Sequence, residues 1–217
     1  MSHHNRVFGL IAAAALAVPA SHAGVLYSDG PPNGDFIGTS ITGIGAGADS
    51  FTLSSSAVIS GADFTAFMLG GSTGTSVDWA ILDGLPGLGT VLFSGTATQH
   101  NTFLFDNNGT DFFNESLTLG SFSLGAGTYW FELSNATFTA GFDEAWDING
   151  GPSHSWNSLI GGDDTLCDVG PDGRCSNIFD ITGTASPVPE PSSLGLLAAA
   201  LVVIRAMSRR KMLIGYG

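Results

Sequence analysis

Residue types able to do chemistry gather in the second half of the chain, and most of them suit binding better than catalysis. Trp130, Trp146 and Trp156 lie close together, with Asp147, Asn149 and Asn157 beside them. Exposed indoles stack on sugar rings while short polar side chains take the hydroxyls. Packing inside a core is the other use for the same three rings. Glu132, Asp143, Glu144 and Asp147 could supply the paired carboxylates that flank a scissile glycosidic bond, although so acidic a chain produces such pairs by chance. Ser153, His154 and Asp147 have the types of a nucleophilic triad, yet no G-x-S-x-G elbow accompanies them. A loop histidine bonded to backbone accounts better for His154.

Asp163, Asp164, Asp168 and Asp172 place hard oxygen ligands in a glycine-rich loop, the donor type that calcium prefers. No EF-hand order is present, and a solvated acidic loop is the simpler account. The same loop is bracketed by Cys167 and Cys175, the two cysteines of the chain. In an exported protein they are expected to form one disulfide around the turn Gly170-Pro171-Asp172-Gly173. A metal bound by the two thiols would need His100 or His154 as well. No organic cofactor is called for.

Charge narrows the partners. Of 19 acidic residues only Glu190 lies outside residues 24–186, and Arg174 is the one lysine or arginine within them. The segment therefore carries 18 acids against one arginine, a formal charge of −17. Nucleic acid is excluded as a partner, because binding needs Lys and Arg to displace counterions from phosphate. Divalent cations and neutral or cationic polymers remain. With no lysine and few histidines, the segment is expected to be no enzyme.

The elements that must position these residues read as strands. Asp49–Leu53, Val58–Leu69 (broken at Gly61), Ser76–Leu82, Thr90–Ser94, Thr102–Asp106, Phe112–Leu119, Gly127–Ser134 and Ser176–Thr182 alternate or are rich in β-formers, with turn residues between them. Val77, Trp79 and Ile81 share one face, and Tyr129, Phe131 and Leu133 share another, opposite Trp130 and Glu132. No helical stripe and no internal repeat interrupts the pattern. The expected fold is all-β, a single β-sandwich or jelly-roll domain over residues 24–186.

Two end segments flank that domain. Arg6, the apolar run Val7–Val18 and the small residues Ser21 and Ala23 have the layout of a signal peptide spanning 1–23. At the other end, Pro187, Pro189 and Pro191 stiffen a linker. An apolar helix is expected at about 192–207, short for a full membrane span. A basic cluster then follows at Arg205, Arg209, Arg210 and Lys211, which would stay cytoplasmic.

Pro189-Glu190-Pro191, an apolar Gly/Ala/Leu run and a terminal Arg-Arg-Lys cluster, in that order, resemble the PEP-CTERM sorting signal. The resemblance covers 187–217 and implies an exosortase-type processing enzyme as partner. It also implies an inner-membrane-anchored precursor, then release to the cell surface or an exopolysaccharide-rich matrix. Arg205 falls early, and Met212–Gly217 extends past the point where such tails usually stop. More loosely, Leu124–Leu133 is similar to the "AGTYWL" strand of ectodomains found upstream of such tails, and Asp83–Gly87 to their D-x-x-G-x-P-G turn. These resemblances imply an exported surface or matrix protein whose molecular activity they do not specify. The alternatives are a carbohydrate-binding module of an exopolysaccharide matrix and a polysaccharide hydrolase.

Overall fold

The computed structural model describes residues 24–141, 143–163 and 175–186. The leader, Cys167, Asp164, Asp168 and Asp172, and the whole tail with its Pro-Glu-Pro triplet and basic cluster lie outside the described residues. So does the side chain of Asp163.

Alternation along the sequence becomes strand almost everywhere. In chain order the strands are β1 (Gly24–Ser28), β2 (Gly38–Ser40), β3 (Ala46–Leu53), β4 (Ala57–Leu69), β5 (Gly74–Leu82), β6 (Val91–Thr98) and β7 (His100–Asn107). They continue with β8 (Thr110–Leu124), β9 (Gly127–Phe138), β10 (Glu144–Asn149), β11 (Ser155–Asn157), β12 (Gly162–Asp163), β13 (Ser176–Asn177) and β14 (Phe179–Ala185). No helix occurs among the described residues, and so none there is long and apolar enough to cross a membrane.

These strands form two antiparallel sheets. The first holds eight strands: β1, β14, β4, β10 and β13 run in that order, with β2 on β10, β8 on β4 and β7 on β8. The second holds six, in the order β12-β11-β3-β9-β5-β6. The long strand β4 is the spine of the first sheet. One edge pairs with β8 from Ala57 to Leu69, and the other is shared between β14 and β10.

The break expected at Gly61 takes the form of a bulge within β4, at which the register to β8 shifts. A Cβ there would lie 2.8 Å from the Leu117 carbonyl oxygen and from Thr182 Oγ1, so both flanking strands demand glycine. The β5–β6 hairpin closes on Asp83, whose side chain accepts from Thr90 N (2.6 Å). That ties the ends of the turn begun by Asp83–Gly87.

One apolar core is shared by the two sheets. Phe64 and Phe179 of the first meet Phe51 and Phe131 of the second, and all four are essentially buried. Trp79 is also in this core, stacked on Phe122 at 5.8 Å. β1 pairs with β14, Gly24 facing Gly183, so the chain enters and leaves along neighbouring strands. Ser186 N donates to Ser56 O (2.8 Å) and fastens the last described residue to the domain.

Candidate functional site

Along β9, Phe131 and Leu133 are fully buried, which turns Trp130 and Glu132 to the outer face of the second sheet. Strand pairing brings Trp156 to that same face. Trp156 lies opposite Ala48, and Ala48 lies opposite Glu132, so the three form one cross-strand row. Trp130 occupies the adjacent outward row, opposite Ser50. Both indoles are half-buried. A shallow groove of about 330 Å³ continues from Glu132 between Asp78, Ser94, Thr96 and Ser134 over a floor that includes Ala80. Thr96 Oγ1 (2.5 Å) and Asn135 Nδ2 (2.9 Å) both donate to Asp78. These bonds hold its carboxyl below the usual range, while burial pushes Glu132 up. Chemically, the face offers two aromatic platforms and a row of short polar groups and acids.

Trp146 does not belong to it, contrary to the reading that grouped the three indoles. It sits in β10 of the first sheet, is fully buried, and makes edge contacts with Phe64, Phe131 and Phe179. Its Nε1–H donates to Ile178 O (2.8 Å). A ring enclosed by three phenylalanines has no face left for a sugar.

The four acids considered for hydrolysis are also separated. Glu132 is on the outer face of the second sheet. Glu144 shares the inward face of β10 with Trp146 and is fully buried. Asp147, one residue on from Trp146, points to the outer side of the first sheet under the segment 33–38, and it too is fully buried. Asp143 is exposed and accepts from Ser40 (2.8 Å) and Thr42. No two of them face a common cleft.

The Ser153, His154 and Asp147 set does not assemble either. Ser153 Oγ donates to Asp29 Oδ1 (2.8 Å) and lies against Ser176 Oγ. Among the described residues no side chain bonds either oxygen of Asp147, and the adjacent Ile148 N–H alone acts against the burial that raises it. Asp29 instead joins a buried network that sequence reasoning missed. Tyr27 OH donates to Asp29 (2.6 Å), and Ser176 Oγ donates to Asp49 Oδ2 (3.3 Å). Asp49 also accepts the backbone N–H groups of Ser50 (2.6 Å) and Asn177 (2.5 Å).

Burial governs the electrostatics. No lysine or arginine falls among the described residues. Desolvation raises the Asp147 carboxyl to about 8, and the Asp35 charge adds to this. Burial, then the charge of Glu115, raises Glu144 to about 8. Burial lifts Glu115 to about 7 and Asp29 to about 6, and holds Asp49 well above its ordinary value.

Among the described residues no three His, Cys, Asp or Glu side chains are grouped as a metal site. The acidic loop proposed from sequence for calcium lies outside them. Cys175 is buried and is not a free thiol. Its expected partner Cys167 lies outside the described residues.

The tail carries the recognisable signal. The family model of the PEP-CTERM protein-sorting motif matches residues 187–211, which include the Pro189-Glu190-Pro191 triplet and the basic cluster from Arg205 to Lys211. The chain therefore carries a sorting motif of the kind that an exosortase recognises, which implies export through a membrane-anchored precursor. No curated protein sequence matches the chain.

Proposed function

We propose that this chain is an exported surface or matrix protein whose β-sandwich ectodomain has no catalytic role, delivered by its leader and processed through its tail. One observation carries this reading: the Pro-Glu-Pro triplet, apolar run and basic cluster occur in order inside the matched segment 187–211. Mass spectrometry of the released protein is expected to find an N-terminus at Gly24 and a C-terminus upstream of Met207. Replacing Pro189 and Glu190 together by alanine is expected to retain the tail in the membrane fraction. Recovery of released protein with residues beyond Met207 would reject tail processing. Non-reducing peptide mapping is expected to join Cys167 to Cys175.

A second reading is favoured by the outer face of the second sheet, where Trp130, Glu132 and Trp156 come together from β9 and β11. In this reading the domain binds extracellular polysaccharide, with the indoles stacking on sugar rings. Trp156→Ala is expected to weaken binding to matrix polysaccharide at least ~10-fold, as loss of one stacking platform does at a small-ligand site. Affinity electrophoresis gives the number, and retardation unchanged by Trp156→Ala and Trp130→Ala alike would remove the site.

A further inference from the structure

We propose that Glu115, Glu144, Gln99 and Asn101 form a buried all-oxygen site for one hard divalent cation of the calcium class. The site lies between the sheets and uses none of the residues of the acidic loop. Among the described residues nine buried side-chain polar atoms lack a hydrogen-bond partner, and all nine are oxygens. Five of them belong to these four residues: both oxygens of Glu115, Glu144 Oε2, Gln99 Oε1 and Asn101 Oδ1.

Hydrogen bonds and strand register bring the four residues to one place. Gln99 Nε2 donates to Glu144 Oε1. Asn101 Nδ2 donates to Gln99 O (3.4 Å) and Gly74 O (2.8 Å), which spends the amide nitrogen on backbone. Asn101 faces Glu115 directly across the β7–β8 pair. The charge of Glu115 reaches Glu144 and raises its carboxyl. Gly74 completes the wall, since a Cβ there would fall 2.2 Å from Gln99 Oε1.

A fully buried carboxylate with two orphaned oxygens is costly, and the cost is removed by a proton or by a cation. Protons on both carboxyls supply two O–H donors, enough for the two amide oxygens, and still leave one oxygen of Glu115 without a partner. A cation takes all of them at once. Two carboxylates and two amides offer six oxygens, the lower end of calcium's coordination range, and no sulfur or imidazole. His100, between Gln99 and Asn101 in sequence, lies opposite Ser116 in the alternate row. Asn101 is only half-buried and marks the side on which an ion can enter.

The test uses the full-length protein in mild detergent at pH 7.5, stripped with a chelator and titrated with calcium chloride. Calorimetry is expected to show one ion per chain at this site. At ~100-fold excess over the dissociation constant the melting temperature should rise by about 5–10 °C. Glu115→Gln and Glu144→Gln keep the shape and remove a buried charge, so both should fold without metal yet lose the calcium response. Asn101→Ala, nearer the surface, should weaken binding ~10-fold. Asp163→Asn with Asp168→Asn should leave the response intact. Absence of any calcium response in the parent, or a response abolished by the loop pair but kept in both glutamine variants, would overturn the proposal.

Discussion

Asp147→Asn is expected to raise the melting temperature by roughly 6–12 °C at pH 8.5 and by less than half of that at pH 5.5, in buffer containing a chelator. Asp147 is fully buried, no side chain among the described residues bonds its oxygens, and burial raises its carboxyl to about 8 against the opposing Ile148 N–H. The folded protein therefore holds this proton far more tightly than the unfolded chain, whose aspartates titrate near ~3.9. The stabilising effect of that proton is complete below ~3.9 and disappears as the pH climbs through 8. Above that, folding must bury a charge. Each pKa unit corresponds to about 1.4 kcal/mol, and allowing for relaxation around the ion leaves on the order of 3 kcal/mol for the asparagine to recover. For a domain of this size that converts to the stated shift.

The parent protein should show the same slope more strongly. Asp29, Glu115 and Glu144 are raised to about 6, 7 and 8 by burial, so the folded state sheds their protons in sequence between pH 5 and 9. Stability must fall across that window. This inverts the usual carboxylate pattern, in which ion pairs depress the pKa and stability is lost in acid. The reason is compositional, since the described residues hold no lysine or arginine to pair with the buried acids. General repulsion among surface carboxylates acts in the same direction. Asp63→Asn on the outer face of β4 separates the two effects, for it removes one charge and should leave the slope nearly unchanged. A parent equally stable at pH 5.5 and 8.5 would contradict the buried-acid account.

The strands that the sequence disclosed are those with one wet face. In β9 the alternation of Phe131 and Leu133 against Trp130 and Glu132 is a direct record of burial. In β5, Val77, Trp79 and Ile81 likewise face the core. β10 was missed because it is buried on both faces: Glu-Ala-Trp-Asp-Ile-Asn is closed off at every position, so polarity ceases to report orientation. That one strand carries Glu144, Trp146 and Asp147, the residues on which the sugar and hydrolase readings partly leaned. Short pairings such as β2, β11 and β12 add two or three residues each and have no period to detect. The oxygen cluster of Glu115, Glu144, Gln99 and Asn101 was equally hidden, since its members meet only through strand register. The tail was legible for the opposite reason, because an address is read as a linear string by its processing enzyme and needs no tertiary context.

Trp146→Ala is expected to cost about 3–5 kcal/mol, the range for deleting a large buried aromatic, and to lower the melting temperature by roughly 6–20 °C. The ring is fully buried between Phe64, Phe131 and Phe179, residues from both sheets, so the cavity would open where the two layers meet. Trp146→Phe separates volume from hydrogen bonding. Ile178 O accepts Thr65 N–H (3.1 Å) as well as the indole N–H (2.8 Å), so losing the indole leaves that carbonyl paired. Phenylalanine should therefore recover most of the loss and fall within about 2 kcal/mol of the parent, a cost due to the smaller ring alone. Trp156→Ala, at a half-buried position on the outer face, should cost about 1 kcal/mol or less. Thermal melts of the three variants order them, and a Trp146→Ala protein melting within ~2 °C of the parent would mean that this ring does not join the two sheets.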